Sequence, residues 1–296
     1  MDWIELEVES DLEAADAVAE VFQRYGCQGV VVQQDDPSKN VSRVSVKTYL
    51  PDDDSLHGKR SDIDLAVRLL ALIRPIGPLR ESRLTEEDWT RAWRKHFKVL
   101  HIGDRMVVCP SWLKYKPRPR DVVVRLDPGM AFGTGLHPTT RMCLELLERL
   151  VEPGIEMLDL GTGSGILAIT AAKLGVTRAM ALDIDPVAVK VARENVLANG
   201  TEAIIEVREG SLELDNPLLP ASSYHLIVAN ITVSPIVELA AAMMDLLKPG
   251  GLIITGGILE DQSNEVQAAF TGLGALVREM RRVEDWRTLV FEKSDS

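Results

Sequence analysis

Residues 158–165 decide the fold of this chain and read Leu158-Asp159-Leu160-Gly161-Thr162-Gly163-Ser164-Gly165. Apolar residues precede the three glycines, and a second apolar run follows them from Ile166 onward. This order predicts a buried strand, a tight glycine loop and then a helix. Glycine lets the backbone approach a ligand where a Cβ atom would clash, and open α/β sheets bind ligands at this edge. The stretch therefore predicts a ligand site at the carboxyl edge of a parallel sheet.

Strands and helices are predicted to alternate from about residue 153 onward. The predicted strands span 156–160, 178–184, 204–208, 224–230 and 250–256, and the predicted helices span 164–174, 186–199, 234–247 and 260–271. Such alternation is typical of parallel strands with helices on both faces of the sheet. Two further strands within 274–292 have no helix between them, which predicts a closing antiparallel hairpin. The C-terminal part is therefore predicted to be a doubly wound α/β domain.

The first part of the chain has a different order of elements. The predicted elements are strand 3–8, helix 11–25, strands 29–34 and 41–49, and helix 60–74. Alternating apolar and acidic residues in the first strand predict that one of its faces is buried. In the last helix, four apolar residues recur at helical spacing after Ser61, a candidate N-cap: Leu65, Leu69, Leu70 and Ile73. A β-α-β-β-α order with short strands predicts a small ferredoxin-like α+β domain.

The predicted domain boundaries follow from these patterns. We assign 1–80 to the ferredoxin-like domain, 81–97 to a helical linker and 98–296 to the α/β domain. The linker is predicted to be helical because Thr85 and Asp88 fit the capping signature of a helix start. Hairpin-like strands are expected at 98–109 and 121–126, on either side of a proline cluster.

Composition excludes several classes of protein. The chain has 296 residues, 46% hydrophobic and 26% charged, which is an ordinary globular composition. Its net charge of −12 disfavours a general nucleic-acid binder, which would be held by contacts to phosphates. Three cysteines without a CxxC motif and five scattered histidines predict no metal site.

Targeting and membrane signals are also missing from the pattern. The longest uncharged stretch, Asn216 to Val237, is interrupted by three prolines and does not read as a membrane-spanning helix. The first residues lack the basic and apolar regions of a signal peptide, so a cytoplasmic location is expected. Residues 2–20 carry eight acidic side chains and no basic one, which suits a basic partner.

Two acidic residues narrow the ligand of the glycine loop. Asp183 ends the second predicted strand of the α/β domain, where a carboxylate would hydrogen-bond a ribose diol. Nicotinamide dinucleotides and S-adenosylmethionine are both bound by such an acid. Asp159, just before the loop, would attract a cationic amino-acid moiety and repel a pyrophosphate. Asp185 is a competing candidate, although it precedes Pro186 and therefore also suits the N-cap of the next helix.

Several motifs together resemble a known superfamily. They are Asp159–Gly165, Asp183-Ile184-Asp185-Pro186, Arg193-Glu194-Asn195 with Asn199-Gly200, Val228-Ala229-Asn230-Ile231 and Lys248-Pro249-Gly250-Gly251. The combination resembles the class I S-adenosylmethionine-dependent methyltransferases, which have a Rossmann-like fold. A more specific block, Asp127-Pro128-Gly129-Met130-Ala131-Phe132-Gly133-Thr134-Gly135-Leu136-His137-Pro138-Thr139-Thr140, resembles the signature of the ribosomal protein L11 methyltransferases (PrmA type). The resemblance spans essentially the whole chain.

The resemblance implies a set of site residues. It implies that S-adenosylmethionine is held by Thr140, Gly161, Asp183 and Asn230, with Gly163 in the same loop. Asn230 would also position the reacting groups, and no general base is assigned. Separately, Phe132 would either flank the sulfonium through a cation–π contact or be a packed loop aromatic. His137 precedes Pro138 at a helix start, which favours a structural turn residue over a catalytic base.

The resemblance also implies the reaction. The chain would transfer methyl groups to the N-terminal α-amine and lysine side chains of ribosomal protein L11, through substrate recognition by the N-terminal domain. We expect a monomer that contacts neither membrane nor nucleic acid. After Asn230 the chain departs from the usual family pattern with Ile231-Thr232-Val233-Ser234-Pro235, which should line the entrance for the acceptor.

Three alternatives remain open at this point. A lysine methyltransferase acting on another protein, such as the electron-transfer flavoprotein β subunit, would share most of the motifs. A nicotinamide-dependent oxidoreductase would explain the glycine loop and Asp183, but it leaves Asp159 and the segment His137–Thr140 unexplained. A non-catalytic S-adenosylmethionine sensor would not need Asn230.

Overall fold

The structure is a computed structural model, and it describes residues 3–25, 27–34, 43–53, 56–85, 98–127, 135, 137–212 and 221–294. The chain divides into two compact units, residues 1–97 and residues 98–296. Each unit is described by itself. Among the described residues, no helix combines the length and apolar character needed to cross a membrane.

In the described residues of the first unit, one four-stranded antiparallel sheet packs with two helices. Its elements are β1 Trp3–Asp11, α1 Leu12–Tyr25, β2 Cys27–Gln34, β3 Arg43–Pro51, α2 Leu56–Ala71 and β4 Arg80–Leu84. The strands lie in the order β2-β3-β1-β4. Ile4, Leu6 and Val8 are buried in the core of this unit, while the glutamates between them are partly exposed. The predicted alternation of the first strand is thus confirmed.

The predicted linker is wrong at its start. Residues 81–84, assigned to a helical linker, belong to strand β4, which pairs with β1 from Leu84 opposite Trp3 to Arg80 opposite Glu7. The strand is an exposed edge with polar side chains, so it has no apolar alternation for a pattern to detect. Its place is determined by the free backbone groups along β1. Residues 86–97, the rest of the predicted linker, lie outside the described residues.

Helix α2 packs through a different face from the one its leucines predict. It begins at Leu56, so Ser61 lies inside the helix and donates its hydroxyl to the carbonyl of His57 at 2.8 Å. The buried residues are Ile63 and Val67, whereas Leu65 is 60% exposed. The predicted N-cap is therefore wrong. The predicted apolar face is confirmed only at Leu70, which is partly buried against the core, because both faces carry apolar residues at helical spacing and the first unit buries only one.

The second unit is an α/β fold built on a mixed seven-stranded sheet. Its helices are α3 Pro138–Leu150, α4 Ile166–Leu174, α5 Pro186–Ala198, α6 Val233–Glu238, α7 Ala240–Leu246 and α8 Ser263–Gly272. Its strands are β5 Leu100–Ile102, β6 Met106–Pro110, β7 Val122–Leu126, β8 Glu156–Leu160, β9 Arg178–Asp183, β10 Ile205–Glu209, β11 Tyr224–Asn230, β12 Leu247–Leu259, β13 Ala275–Val283 and β14 Trp286–Lys293. The main sheet has the order β10-β9-β8-β11-β12-β14-β13. Strands β8 to β12 run parallel, and β14 and β13 pair antiparallel.

Both faces of the main sheet are buried. Met157 and Val228 pack on one face with side chains from α3, α4 and α5. Leu158 and Ile227 pack on the other face with side chains from α6, α7 and α8. Strands covered on both faces read as continuous apolar runs, which is why their positions are predicted well from the sequence.

Two predictions for this unit need correction. The predicted strand 98–109 is two antiparallel strands, β5 and β6, and the expected hairpin with 121–126 is wrong because β6 and β7 pair in parallel, with Met106 opposite Val122. The proline-containing segment 111–121 crosses back to the start of β6 instead of making a tight turn. The predicted helix 234–247 is two helices, because Leu239 leaves the helical conformation with φ −95° and ψ 3°.

Candidate active site

The strand register brings three of the predicted site residues to one edge of the sheet. Leu160 at the end of β8 pairs with Leu182 of β9 and with Ala229 of β11. The residues that follow these three, namely Gly161, Asp183 and Asn230, therefore lie side by side at the carboxyl edge. Ligands of open α/β sheets bind at this edge.

The glycine loop has a backbone that other residues rarely adopt. Gly161, Gly163 and Gly165 have φ angles of 71°, 56° and 83°, all in the left-handed region. Gly161 also lies against the chain after β11, where an added Cβ atom would come within 2.1 Å of Ile231 Cγ2. Close packing thus requires glycine at 161 even without a ligand.

The Asp159 side chain holds the glycine loop through hydrogen bonds. Its side chain is fully buried, and Oδ2 accepts hydrogen bonds from the Thr162 hydroxyl at 2.6 Å and the Ala168 N–H at 3.1 Å. Oδ1 has no partner among the described residues. Burial raises the pKa of Asp159 to about 6. The loop's own donors occupy Oδ2 and leave Oδ1 as a remaining acceptor, so the expectation that Asp159 attracts a cationic amino-acid moiety stays a prediction.

Asp183 is held by two backbone groups. Its Oδ2 accepts from the N–H of Gly163 at 2.8 Å, and its Oδ1 accepts from the N–H of Asp185 at 3.0 Å. Each carboxylate oxygen can accept a second hydrogen bond, so the group keeps acceptor capacity in a defined orientation. Asp185 instead caps helix α5 by accepting from the Val187 N–H at 2.8 Å. The capping interpretation of Asp185 is confirmed.

Asn230 and Thr140 come from distant parts of the chain and meet beside the loop. The Nδ2 of Asn230, at the end of β11, donates to the Oγ1 of Thr140 at 3.3 Å, and Thr140 is fully buried in the first turn of α3. The Oδ1 of Asn230 is buried without a partner among the described residues. A buried oxygen without a donor loses free energy, which a ligand with an N–H or O–H group would restore.

His137 is a structural residue at the start of α3. It is the N-cap, and its Nδ1 accepts from the N–H of Thr139 at 3.3 Å. Its ring meets that of Trp286 edge-on, with centroids 4.5 Å apart. Burial lowers the pKa of His137 below its usual value, so the ring is neutral at pH 7. The turn interpretation of His137 is confirmed.

Comparisons with known proteins agree on one family. Residues 2–294 match the family described as "Ribosomal protein L11 methyltransferase (PrmA)". A ribosomal protein L11 methyltransferase of Chloroflexus aurantiacus is 45% identical over 98% of both chains. One from Herpetosiphon aurantiacus is 40% identical over 99% of both. The chain belongs to the ribosomal protein L11 methyltransferase family.

A solved structure supports the same conclusion. A ribosomal protein L11 methylase from Lactobacillus delbrueckii subsp. bulgaricus superposes with a TM-score of 0.62 at 31% identity. The match covers 67% of this chain and all of that one. The α/β fold with its mixed sheet is that of the class I methyltransferases, and the enzyme is an S-adenosylmethionine-dependent methyltransferase. The comparisons do not support the two other enzyme classes considered above.

The site residues fit this cofactor. The orphaned oxygen of Asn230 and the spare acceptor capacity of Asp183 suit a ligand that carries hydroxyl and amino donors. Phe132 lies outside the described residues, so its predicted contact with the sulfonium stays a prediction. Among the residues that the structure describes, no three His, Cys, Asp or Glu side chains come together as metal ligands.

The sequence patterns missed three residues that shape the site. An added Cβ atom at Gly256 would come within 2.6 Å of Asn230 Oδ1, and one at Gly257 would come within 2.3 Å of the Ile231 carbonyl oxygen. The pair of glycines at the end of the predicted last parallel strand, which stops at Gly256, was the available signal, because glycine in a strand marks a close approach. The third is Asn195, which lies in the motif Arg193-Glu194-Asn195 but received no role from the sequence.

Proposed function

We propose that the enzyme transfers methyl groups from S-adenosylmethionine to the N-terminal α-amine and lysine side chains of ribosomal protein L11. Relatives that share 40–45% identity over nearly their whole length carry that substrate in their names. The structural observation that carries the proposal is the buried, unpartnered Oδ1 of Asn230 at the carboxyl edge of the sheet.

Each predicted residue would have a distinct part in binding. Asp183, fixed by the N–H of Gly163, would accept hydrogen bonds from the ribose hydroxyls. Gly161 and Gly163 would allow close approach of the loop backbone. Thr140 would orient Asn230, and Phe132 would flank the sulfonium. The polar assignments use hydrogen-bonding groups that have unoccupied capacity among the described residues.

Asn230 would align the acceptor amine. When bound, S-adenosylmethionine supplies a methyl group on a positively charged sulfur. The acceptor nitrogen must be neutral, and an α-amine near pKa 7.7–8.0 loses its proton more readily than a lysine near 10.4. The chain would hold the neutral amine in line with that methyl group, and solvent would take up the proton that the methylated amine loses. The Asn230 Oδ1, by accepting one amine N–H, would point the nitrogen lone pair along the reaction line.

The N-terminal unit would recognise the substrate. We assign residues 1–84, which include strand β4, to a ferredoxin-like recognition domain, followed by a linker to residue 97 and a methyltransferase domain with a C-terminal antiparallel hairpin. Glu5 and Glu7 of β1 pair with Lys47, and Glu9 pairs with Arg80. Partial neutralisation leaves this strand able to steer a basic protein without binding it tightly. The enzyme would act as a monomer without direct contact to nucleic acid.

One experiment tests substrate and cofactor together. Purified ribosomal protein L11 is incubated with labelled S-adenosylmethionine and the enzyme, and the product is mapped by mass spectrometry. We expect label on the α-amine and lysines, and its loss in Asp183→Ala. The matched control is Asp185→Ala, which removes a neighbouring carboxylate that only caps α5. Methylation by both variants, or none by the wild-type enzyme, would contradict the proposal.

A second variant tests the role of Asn230. Asn230→Ala removes the unpartnered oxygen and should lower kcat by about 10- to 100-fold, as expected for one buried hydrogen bond of 1–3 kcal/mol. Binding of S-adenosylhomocysteine, measured by calorimetry, should change less than kcat, since the product lacks the methyl group and the acceptor amine. An unchanged kcat would remove Asn230 from the proposed mechanism.

A further inference from the structure

Two asparagines, Asn195 in helix α5 and Asn199 at its C-cap, bind the backbone of β7 and the residue after it. Asn199 accepts from the N–H of Arg125 at 2.9 Å and donates to its carbonyl at 2.6 Å. Asn195, one helical turn earlier, accepts from the N–H of Asp127 at 2.9 Å and donates to its carbonyl at 3.1 Å. The two carboxamides thus satisfy this edge as a neighbouring strand would.

Asn195 makes one further bond, and that bond reaches the glycine loop. Its Nδ2 also donates to the carbonyl of Ser164 at 2.9 Å. An amide nitrogen has two hydrogens, so both donors of Asn195 are used, one for Asp127 and one for Ser164. The side chain is 2% exposed, so water does not replace these bonds. The second donor of Asn199 instead goes to the carbonyl of Asn195, within the same helix.

The Ser164 carbonyl lies at the centre of the loop. Its neighbour Gly163 holds Asp183 through the 2.8 Å bond from its N–H, and its other neighbour Gly165 is the N-cap of α4. The loop is therefore held from two sides: Asp159 binds Thr162 from below, and Asn195 binds Ser164 from α5. A shift of Ser164 would move the N–H that orients the Asp183 carboxylate.

We propose that Asn195 is a positioning residue for the cofactor. It fixes the glycine loop to Asp127 at the end of β7 and thereby sets the orientation of Asp183. The inference rests on the proposed roles of the loop and Asp183 in holding S-adenosylmethionine. No other side chain of this size offers one acceptor and two donors in one plane.

Asn199 provides the matched control, because it makes the same pair of bonds to β7 without touching the loop. Asn195→Ala and Asn199→Ala should lower the melting temperature by similar amounts. Asn195→Ala should weaken S-adenosylhomocysteine binding about tenfold, since one neutral hydrogen bond is worth roughly that factor. The same variant should raise KM for S-adenosylmethionine more than it lowers kcat. The Kd of Asn199→Ala for S-adenosylhomocysteine should stay within about twofold of the wild-type value.

Three results would overturn the inference. Equal loss of affinity in both variants would show that β7 stability alone matters, and no loss in either would show that the Ser164 bond is idle. If alanine at 195 prevents folding, the comparison is repeated with Asn195→Ser and Asn199→Ser, which leave a hydroxyl in place. A wild-type enzyme that does not bind S-adenosylhomocysteine would instead overturn the proposed cofactor site itself, and this inference with it.

Discussion

The Nδ2 of Asn230 donates to Thr140 Oγ1 at 3.3 Å, across 90 residues of sequence. Its Oδ1 is buried and has no hydrogen-bond partner among the residues that the structure describes. The carboxamide orientation therefore depends on a hydroxyl from another helix. Removing that hydroxyl should release the Asn230 side chain, so Thr140 would affect the reaction without touching the amine that Asn230 is proposed to align.

Thr140→Val, which keeps the shape of the side chain, should lower kcat about tenfold, the equivalent of one neutral hydrogen bond. Thr140→Ser keeps the hydroxyl and should retain most of kcat, at a stability cost of about 1 kcal/mol for the lost buried methyl group. Steady-state kinetics with thermal unfolding separate the two effects. Equal kcat values for the two variants would contradict the orienting role.

Gly161→Ala should both destabilise the enzyme and weaken cofactor binding. The new Cβ atom would lie 2.1 Å from Ile231 Cγ2, and φ is 71°, so we expect a loss of about 1–3 kcal/mol. Urea unfolding and calorimetry with S-adenosylhomocysteine measure the two quantities.

The double variant Gly161→Ala with Ile231→Ala is its control, since it removes the atom that collides but keeps the unfavourable φ. Stability should recover only in part. Full recovery would mean that the left-handed backbone of the loop has no cost, and no recovery would mean that the Ile231 contact is unimportant.

Asp159 should make stability depend on pH. Burial raises its pKa to about 6 from 3.8, so its contribution to stability is full below pH 3.8 and is lost as the pH rises through about 6. Asp159→Asn does not ionise and keeps an oxygen for Thr162 and Ala168. Relative to wild type, the variant should gain up to about 3 kcal/mol between pH 4 and pH 8. Urea unfolding at several pH values measures this, and a difference that does not change with pH would contradict it.

His137 should affect stability and not proton transfer. His137→Asn keeps an N-cap acceptor and should cost less than His137→Ala, which loses about 1 kcal/mol of capping as well as the Trp286 contact. Because burial lowers the pKa of His137, the pH profile of kcat in His137→Asn should match that of the wild type. Loss of a titration step below the usual histidine pKa of about 6.5 in the variant would show that the imidazole does take part in the reaction.

Local sequence signals determined the main elements of the α/β domain. The loop 161–165, the strand that precedes it and the helix that follows lie where the glycines and apolar runs predict them. Asp185 caps α5 and His137 caps α3 because the Pro that follows each one marks a helix start. The roles of Thr140 and Asn230 came from resemblance to a family, since a threonine or asparagine by itself predicts only a cap or a turn.

Tertiary structure decided which polar groups meet. The pairing of β4 with β1 and the parallel pairing of β6 with β7 depend on which backbone edges remain free after the other strands assemble. The bond from Asn195 to Ser164 likewise exists only because folding places α5 beside the glycine loop. Periodicity and turn residues act over a few positions, so the sequence by itself determined the elements and the family. The partner of a buried carboxamide is set by the donors and acceptors left unsatisfied after packing, and only the folded chain reveals them.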